Sequence, residues 1–292
     1  MNIVYIGANE FSYKALVQLY KLNANISGVI TRNTSVNADY RDLALLCREY
    51  SIPYQYVKNI NSEENVEWIK NKKPDIVFCF GWSQLLKKDI LDIPPMGVIG
   101  YHPAELPLNR GRHPLTWALS LGLDRTASTF FFIDEGADAG DILSQEPVEI
   151  RPEDDAGSLY AKVINIALGQ IEKFLPLLES RMFTRIPQDG QEGNTWRKRH
   201  PADGKIDWRM SASNIHNLVR ALAKPYIGAH FVYNECEYIV WRTRIINEVS
   251  KNSEPGKVLL VEDNGSVIKC GESAIQLLDV EPNANLEVGI YL

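Results

Sequence analysis

One histidine and one carboxylate stand out in this 292-residue chain. Residues 100–117 read GYHPAELPLNRGRHPLTW. His102 directly follows the apolar run Val98–Tyr101, so it is placed at a strand end, where sheet proteins gather their ligands. Pro103 and Pro107 stiffen the chain after it, and Arg110-Gly111-Arg112 sets two guanidinium groups beside a permissive glycine. The second stretch, 133–145 (IDEGADAGDILSQ), holds four carboxylates around two glycines. Such a loop is either a solvated acidic turn or a rigid loop that aims one carboxylate at a reacting group. The small residues around Asp138 (Gly136, Ala137, Ala139, Gly140) let the backbone approach a ligand closely and favour the second reading. An imidazole beside a carboxylate is a pair suited to general acid–base work, the carboxylate favouring the protonated ring.

The elements that must position these two loops read as α/β. Residues 2–6 (NIVYI) form a buried strand, and 11–22 carry helical periodicity with Phe11, Ala15, Leu16, Leu19 and Leu22 on one face. A strand at 26–31, a helix at 39–50, an extended piece at 54–57, a helix near 62–72 and a strand at 75–80 follow. This alternation predicts a Rossmann-like parallel sheet covered by helices, with ligands at the carboxyl ends of its strands. Further strands are expected at 97–101, 127–133 and 143–150, and a helix at 157–179. The Phe130-Phe131-Phe132 run reads as strand core. The catalytic part is thus expected over 1–186, a Gly/Pro-rich linker over 187–209, and a small β-barrel-like domain over 210–292. Within the last, a Ser-capped helix at 211–223 precedes short strands separated by turns such as Asp263-Asn264-Gly265.

Composition excludes several classes. The formal net charge of -6 argues against a nucleic-acid partner, which requires a basic footprint. Cys47, Cys79, Cys236 and Cys270 are scattered without metal-ligand spacing, so no metal is expected. No signal peptide and no membrane-spanning run is legible, which leaves a cytoplasmic location. Gly7-Ala8-Asn9 opens a helix after a strand but lacks both dinucleotide and P-loop glycine patterns. Trp196-Arg197-Lys198-Arg199-His200 is a basic cluster that serves either as solvated linker or as an anion contact.

The pattern H-x-x-x-L-P-x-x-R-G-x-x-P-x-x-W followed by D-x-G-A-D-x-G-x-I resembles the 10-formyltetrahydrofolate-dependent formyltransferases. The linker motifs Trp196–Arg199 and Asp203–Trp208 and the segment Ile215–Ala221 extend the resemblance, which covers about residues 1 to 235. It implies that His102 and Asp138 are catalytic and that the donor is 10-formyltetrahydrofolate. It places the pterin among Phe80, Gly81, Trp82, Leu85 and Leu86 and the run Ile133 through Asp138, including Gly136 and Ala137. One position departs from the family: an Asn is usual two residues before the His, and here Gly100 stands there. Removing a donor of that kind costs roughly 10²–10³-fold in rate.

The resemblance leaves the acceptor open. Transformylases that act on initiator tRNA carry a basic insertion after the second strand. Here TRNTSVNADY (31–40) has Arg32 alone. A UDP- or dTDP-linked 4-amino-4,6-dideoxy sugar of surface-glycan biosynthesis fits better. Arg110, Arg112, Arg197 and Lys198 are the candidate diphosphate cations, and Asn9 and Tyr13 are expected to shape the sugar pocket. Methionyl-tRNA formyltransferase and a catalytically inactive folate- or nucleotide-sugar-binding module are the alternatives. A homodimer through the C-terminal part is what relatives imply.

Overall fold

The computed structural model describes residues 1–34, 39–188 and 193–292. Part of the 31–40 segment and part of the expected linker therefore lie outside the described residues. The chain forms two compact units. The first comprises Met1–Gly111, Ala127–Val148 and Lys162–Thr195; the second comprises Arg112–Thr126, Glu149–Ala161 and Trp196–Leu292.

The first unit is built on a seven-stranded sheet. Its elements in chain order are β1 (Asn2–Gly7), α1 (Glu10–Lys21), β2 (Asn25–Thr31), α2 (Ala44–Glu49), β3 (Tyr54–Tyr56), α3 (Glu63–Asn71), β4 (Ile76–Phe80), α4 (Lys88–Leu91) and β5 (Val98–His102). After the two-residue β6 (Arg110–Gly111) come α5 (Pro114–Ser120), which belongs to the second unit, β7 (Arg125–Phe132), β8 (Ile142–Glu149) and the long α6 (Ala156–Glu179), whose first residues also belong to the second unit. The strand order is β3-β2-β1-β4-β5-β7-β8. β1 to β5 run parallel, and β7 lies antiparallel to β5. The sheet is therefore mixed, with its parallel half where the strand–helix alternation predicts it. Ile3, Val4, Tyr5 and Ile6 are fully buried, as a central strand covered on both faces requires. The chain leaves β1 for β2 on one side and returns to β4 on the other. Such a switch point opens a crevice at the strands' carboxyl ends.

Two helices differ from expectation in instructive ways. α1 starts at a capping box in which Asn9 Oδ1 accepts from the Ser12 backbone N–H, and Leu22 falls at its C-cap, half-buried. α2 is six residues long rather than the twelve expected over 39–50. The backbone before it is tied elsewhere: Glu10 N–H donates to the Asp39 carbonyl and Arg41 N–H to the Ala8 carbonyl.

β9 (Thr195–Trp196) includes the last residue of the first unit; within the second unit a 3-10 turn (Pro201–Gly204) and α7 (Ala212–Ala221), capped by Ser211, follow. The strands β10 (Ala229–Tyr233), β11 (Cys236–Ile246), β12 (Val258–Glu262), β13 (Gly265–Lys269) and β14 (Ala274–Glu281) follow. They form one antiparallel sheet in the order β10-β11-β14-β13-β12. Trp208, Ile215, Val219, Phe231, Val240, Ile268 and Ile275 fill the core between α7 and this sheet. Glu262 pairs with Gly265 across the two-residue loop Asp263-Asn264, the hairpin signalled by the sequence.

Candidate active site

His102 closes β5 and is buried. Its Nε2–H donates to the Asn109 carbonyl at 2.9 Å, which turns Nδ1 toward Asp138. The intervening loop is held by its own carbonyls: Thr129 Oγ1 donates to the Ala104 carbonyl at 2.6 Å, and Gln145 Nε2 to the Leu106 carbonyl at 2.9 Å. Asn109 adopts φ 64, and its N–H donates to Asn194 Oδ1 at 2.7 Å. Thr129, Gln145 and Asn194 escaped the sequence reading. Thr129 and Gln145 act on carbonyls and Asn194 on an N–H, each distant in the chain, and no local spacing marks that.

Asp138 also lies in the left-handed region, with φ 55. Its Oδ2 accepts the Gly111 N–H at 3.0 Å and stands 3.7 Å from His102 Nδ1. The side chains are 7% and 22% exposed, so the imidazole is enclosed and the carboxylate opens outward. The small residues around it are needed. A β-carbon at Gly140 would overlap the Phe132 carbonyl, and Gly136 N–H closes a turn onto Asp134 Oδ1 at 2.8 Å. Two loops from opposite ends of the motif thus meet as one imidazole–carboxylate pair.

No cavity exists at Gly100 for a missing amide. A β-carbon built there would lie 2.8 Å from Ile133 Cγ1 and 3.0 Å from Phe131 Cζ. Hydrocarbon fills the place where the resemblance puts a polar donor.

The expected pterin residues separate into three groups. Trp82, Leu86 and Ile133 share one apolar cluster with Val4, Val77 and Val98 of the parallel strands. The Phe80 ring points into the core, in edge contact with Tyr5 at 5.6 Å and Phe130 at 5.3 Å. Leu85 is 75% exposed, and Gly136 and Ala137 lie on the surface. Gly81 has φ 63, and a β-carbon on it would overlap the Asn9 amide. The Arg32 guanidinium lies 4.6 Å from the Trp82 ring centroid. Buried Arg32 Nε, Trp82 Nε1, Thr31 Oγ1 and Gln55 Oε1 find no partner among the described residues. Unpaired polar atoms beside an apolar wall suit a flat heteroaromatic ring with polar edges.

The candidate acceptor contacts are unevenly free. Asn9 caps α1 and donates to Asp39 Oδ2 at 2.9 Å; Tyr13 is half-buried one turn later. Arg110 donates to the Asp138 carbonyl and to Gln188. Arg197 forms a bidentate pair with Asp203 at 2.8 and 2.6 Å, which holds that carboxyl far below its usual range. Arg112 and Lys198 are exposed, and neither cationic head has a partner among the described residues. They share a cationic surrounding: burial first, then Arg112, Arg199, Lys198 and His200, lowers the pKa of His113. No cluster of His, Cys, Asp or Glu able to hold a metal occurs among the described residues.

Comparison with known proteins matches residues 1–169 to the formyl transferase model and residues 198–290 to the formyl transferase C-terminal domain. The bifunctional polymyxin resistance protein ArnA of Wigglesworthia glossinidia brevipalpis is 32% identical over 284 residues. The alignment takes in 96% of this chain but 43% of ArnA, so the chain spans less than half of that relative. Among solved structures, WlaRD, a sugar 3N-formyl transferase crystallised with dTDP and 5-N-formyl-THF, superposes with TM-score 0.74 at 15% identity. That match covers 97% of this chain and 99% of WlaRD. An N-formyltransferase from Helicobacter canadensis, in complex with folinic acid and dTDP-3-aminofucose, gives 0.73 at 15% identity over 94% and 98% of the two chains.

Proposed function

This chain belongs to the formyl transferase family, and from that premise we propose that it is an enzyme moving a formyl group from 10-formyltetrahydrofolate to the amine of a nucleotide-linked amino sugar. The observation that carries the reading is the His102–Asp138 pair, with Asp138 Oδ2 fixed by Gly111 N–H and facing His102 Nδ1. Trp82, Leu86 and Ile133 would hold the pterin, with the Trp82 indole N–H as a free donor. When bound, the folate supplies the formyl carbon. Asp138 takes the proton that the attacking amine must lose. Passed to Nδ1, that proton would leave a cationic His102 ring, which would oppose the negative charge growing on the formyl oxygen and make a proton available to the folate nitrogen as its bond to the formyl carbon breaks.

For the acceptor we favour a UDP- or dTDP-linked 4-amino-4,6-dideoxy sugar of surface-glycan biosynthesis, made in the cytoplasm. Of the candidate acceptor contacts in the first unit, Tyr13 is the one we place on the sugar side; Arg112 and Lys198 belong to the second unit. The two solved neighbours, bound to dTDP or a dTDP-amino sugar, support a nucleotide-linked amine. A homodimer through the C-terminal sheet completes the proposal.

The test is turnover of 10-formyltetrahydrofolate with a panel of UDP- and dTDP-linked 3-amino and 4-amino sugars, read as tetrahydrofolate release. Release with at least one sugar is expected. Release with charged initiator tRNA alone would overturn the sugar acceptor. Folate binding without release to any acceptor would favour an inactive binding module, the reading that hydrocarbon at position 100 supports.

A further inference from the structure

We propose that Arg110 and Gln188 form one positioning unit for Asp138, so that Arg110 serves the catalytic loop rather than the substrate's diphosphate. The inference rests on the reading of Asp138 as the site's carboxylate.

The Gln188 amide is used at both ends. Its Nε2 donates to the Asp138 carbonyl at 3.0 Å and to the Gly140 carbonyl at 2.7 Å. Its Oε1 accepts from Arg110 Nε at 3.2 Å and Nη2 at 2.7 Å. Arg110 Nε also reaches the Asp138 carbonyl directly, at 3.2 Å. No backbone N–H among the described residues donates to either loop carbonyl. The two side chains therefore replace the backbone ladder that this loop lacks. Their target is a residue in the left-handed region, a conformation that persists only where its surroundings hold it.

Arg110 is enclosed as well as bonded. A β-carbon at Gly193 would lie 3.0 Å from Arg110 Nη1 and 2.7 Å from the Pro107 carbonyl, so a glycine there lets the chain close over the guanidinium. The neighbours of Arg110 complete the device. The carbonyl of Asn109 accepts the hydrogen bond of the His102 Nε2–H, the side chain of Arg110 holds the Asp138 carbonyl, and the N–H of Gly111 holds the Asp138 carboxylate. Three consecutive residues thus fix both members of the pair, and Gln188 braces the middle one from a distant segment. Loosening the brace lets Asp138 drift from His102 without removing either group.

Gln188→Leu, Arg110→Ala and the double variant test this. Each single change should lower kcat by about 10- to 100-fold, the scale of a displacement near 1 Å at a reacting group. KM for donor and acceptor should stay within about threefold, as for a loss felt in the transition state. The double variant should be no slower than the worse single one, because the residues act as a unit. Gln188→Glu keeps the acceptor for Arg110 and loses both donors; it should behave like Gln188→Leu and covers the case where that variant does not fold. A second readout needs no turnover. In Gln188→Leu or Gln188→Glu, hydrogen exchange at the Gly111 amide, followed by NMR, should accelerate at least about tenfold while Ile3–Ile6 keep their protection. A raised acceptor KM with normal kcat in Arg110→Ala would make Arg110 a substrate contact and overturn the proposal. Additive losses, or unchanged protection at Gly111, would do the same. If the native chain transfers formyl to no acceptor, the formyl-transfer reading fails, while Gly111 exchange still decides the brace.

Discussion

At residue 100 the backbone runs so close to Ile133 and Phe131 that even a methyl group has no room. The two side chains come from β7 and the residue just after it, and the antiparallel register sets Gly100 opposite Phe131. Gly100→Ala is therefore an overpacking change, although the tips of Ile133 and Phe131 can shift somewhat. We expect it to lower stability by about 1–2 kcal/mol in urea unfolding. Combined with Ile133→Ala, part of that loss should disappear, giving a coupling of at least about 0.5 kcal/mol between the two sites. Strict additivity would mean that Ile133 does not fill the position. The same packing leaves no room for the amide that the resemblance implies there: the side chains facing it, Phe131 and Ile133, are hydrocarbon.

α1 shows how one element can absorb residues that look like binding groups. Asn9 lies at the end of β1, where a ligand crevice is expected, and its side chain is polar. In the folded chain its Oδ1 accepts from the Ser12 N–H and hydroxyl, and its Nδ2 donates to Asp39. The cap also dictates Gly81, since any β-carbon there would overlap the Asn9 amide. Asn9→Ala should cost about 1 kcal/mol of stability by thermal or urea unfolding, as lost caps do. An unchanged stability together with a raised acceptor KM would return Asn9 to the sugar pocket.

Across the whole molecule, the boundary between the two family models falls between residues 169 and 198, but the second compact unit also draws in two earlier segments. Within that unit α5 packs on α7, Arg220 Nη1 donates to the carbonyls of Arg151 and Asp154, and Gly122 lies against Asn217. A fragment ending at residue 196 would strip these partners from 112–126 and 149–161. We expect its Tm to fall by at least about 5 °C relative to the full chain, a loss of some 1–2 kcal/mol at this size. A fragment that melts as the full chain does would show that the early segments are stable without α7.

The alternation of apolar strands and amphipathic helices, the capped α7 and the turn at 263–264 were all legible in the sequence, because each depends on neighbours a few positions away. A histidine at a strand end and an acidic loop with two competing readings were legible too, but only the longer motif around them joined the two as a candidate pair. Tertiary structure alone decided that Nδ1 of His102 faces Asp138 at 3.7 Å, that Ile133 fills the space at Gly100, and which cations stay free. Arg110 and Arg112 look equivalent as sequence, one glycine apart. Only folding brings Gln188, 78 residues away, to bind the first and leaves the second exposed. A side chain's commitments are set by what the fold places within hydrogen-bond reach, and at separations of that length spacing in the chain carries no information about it.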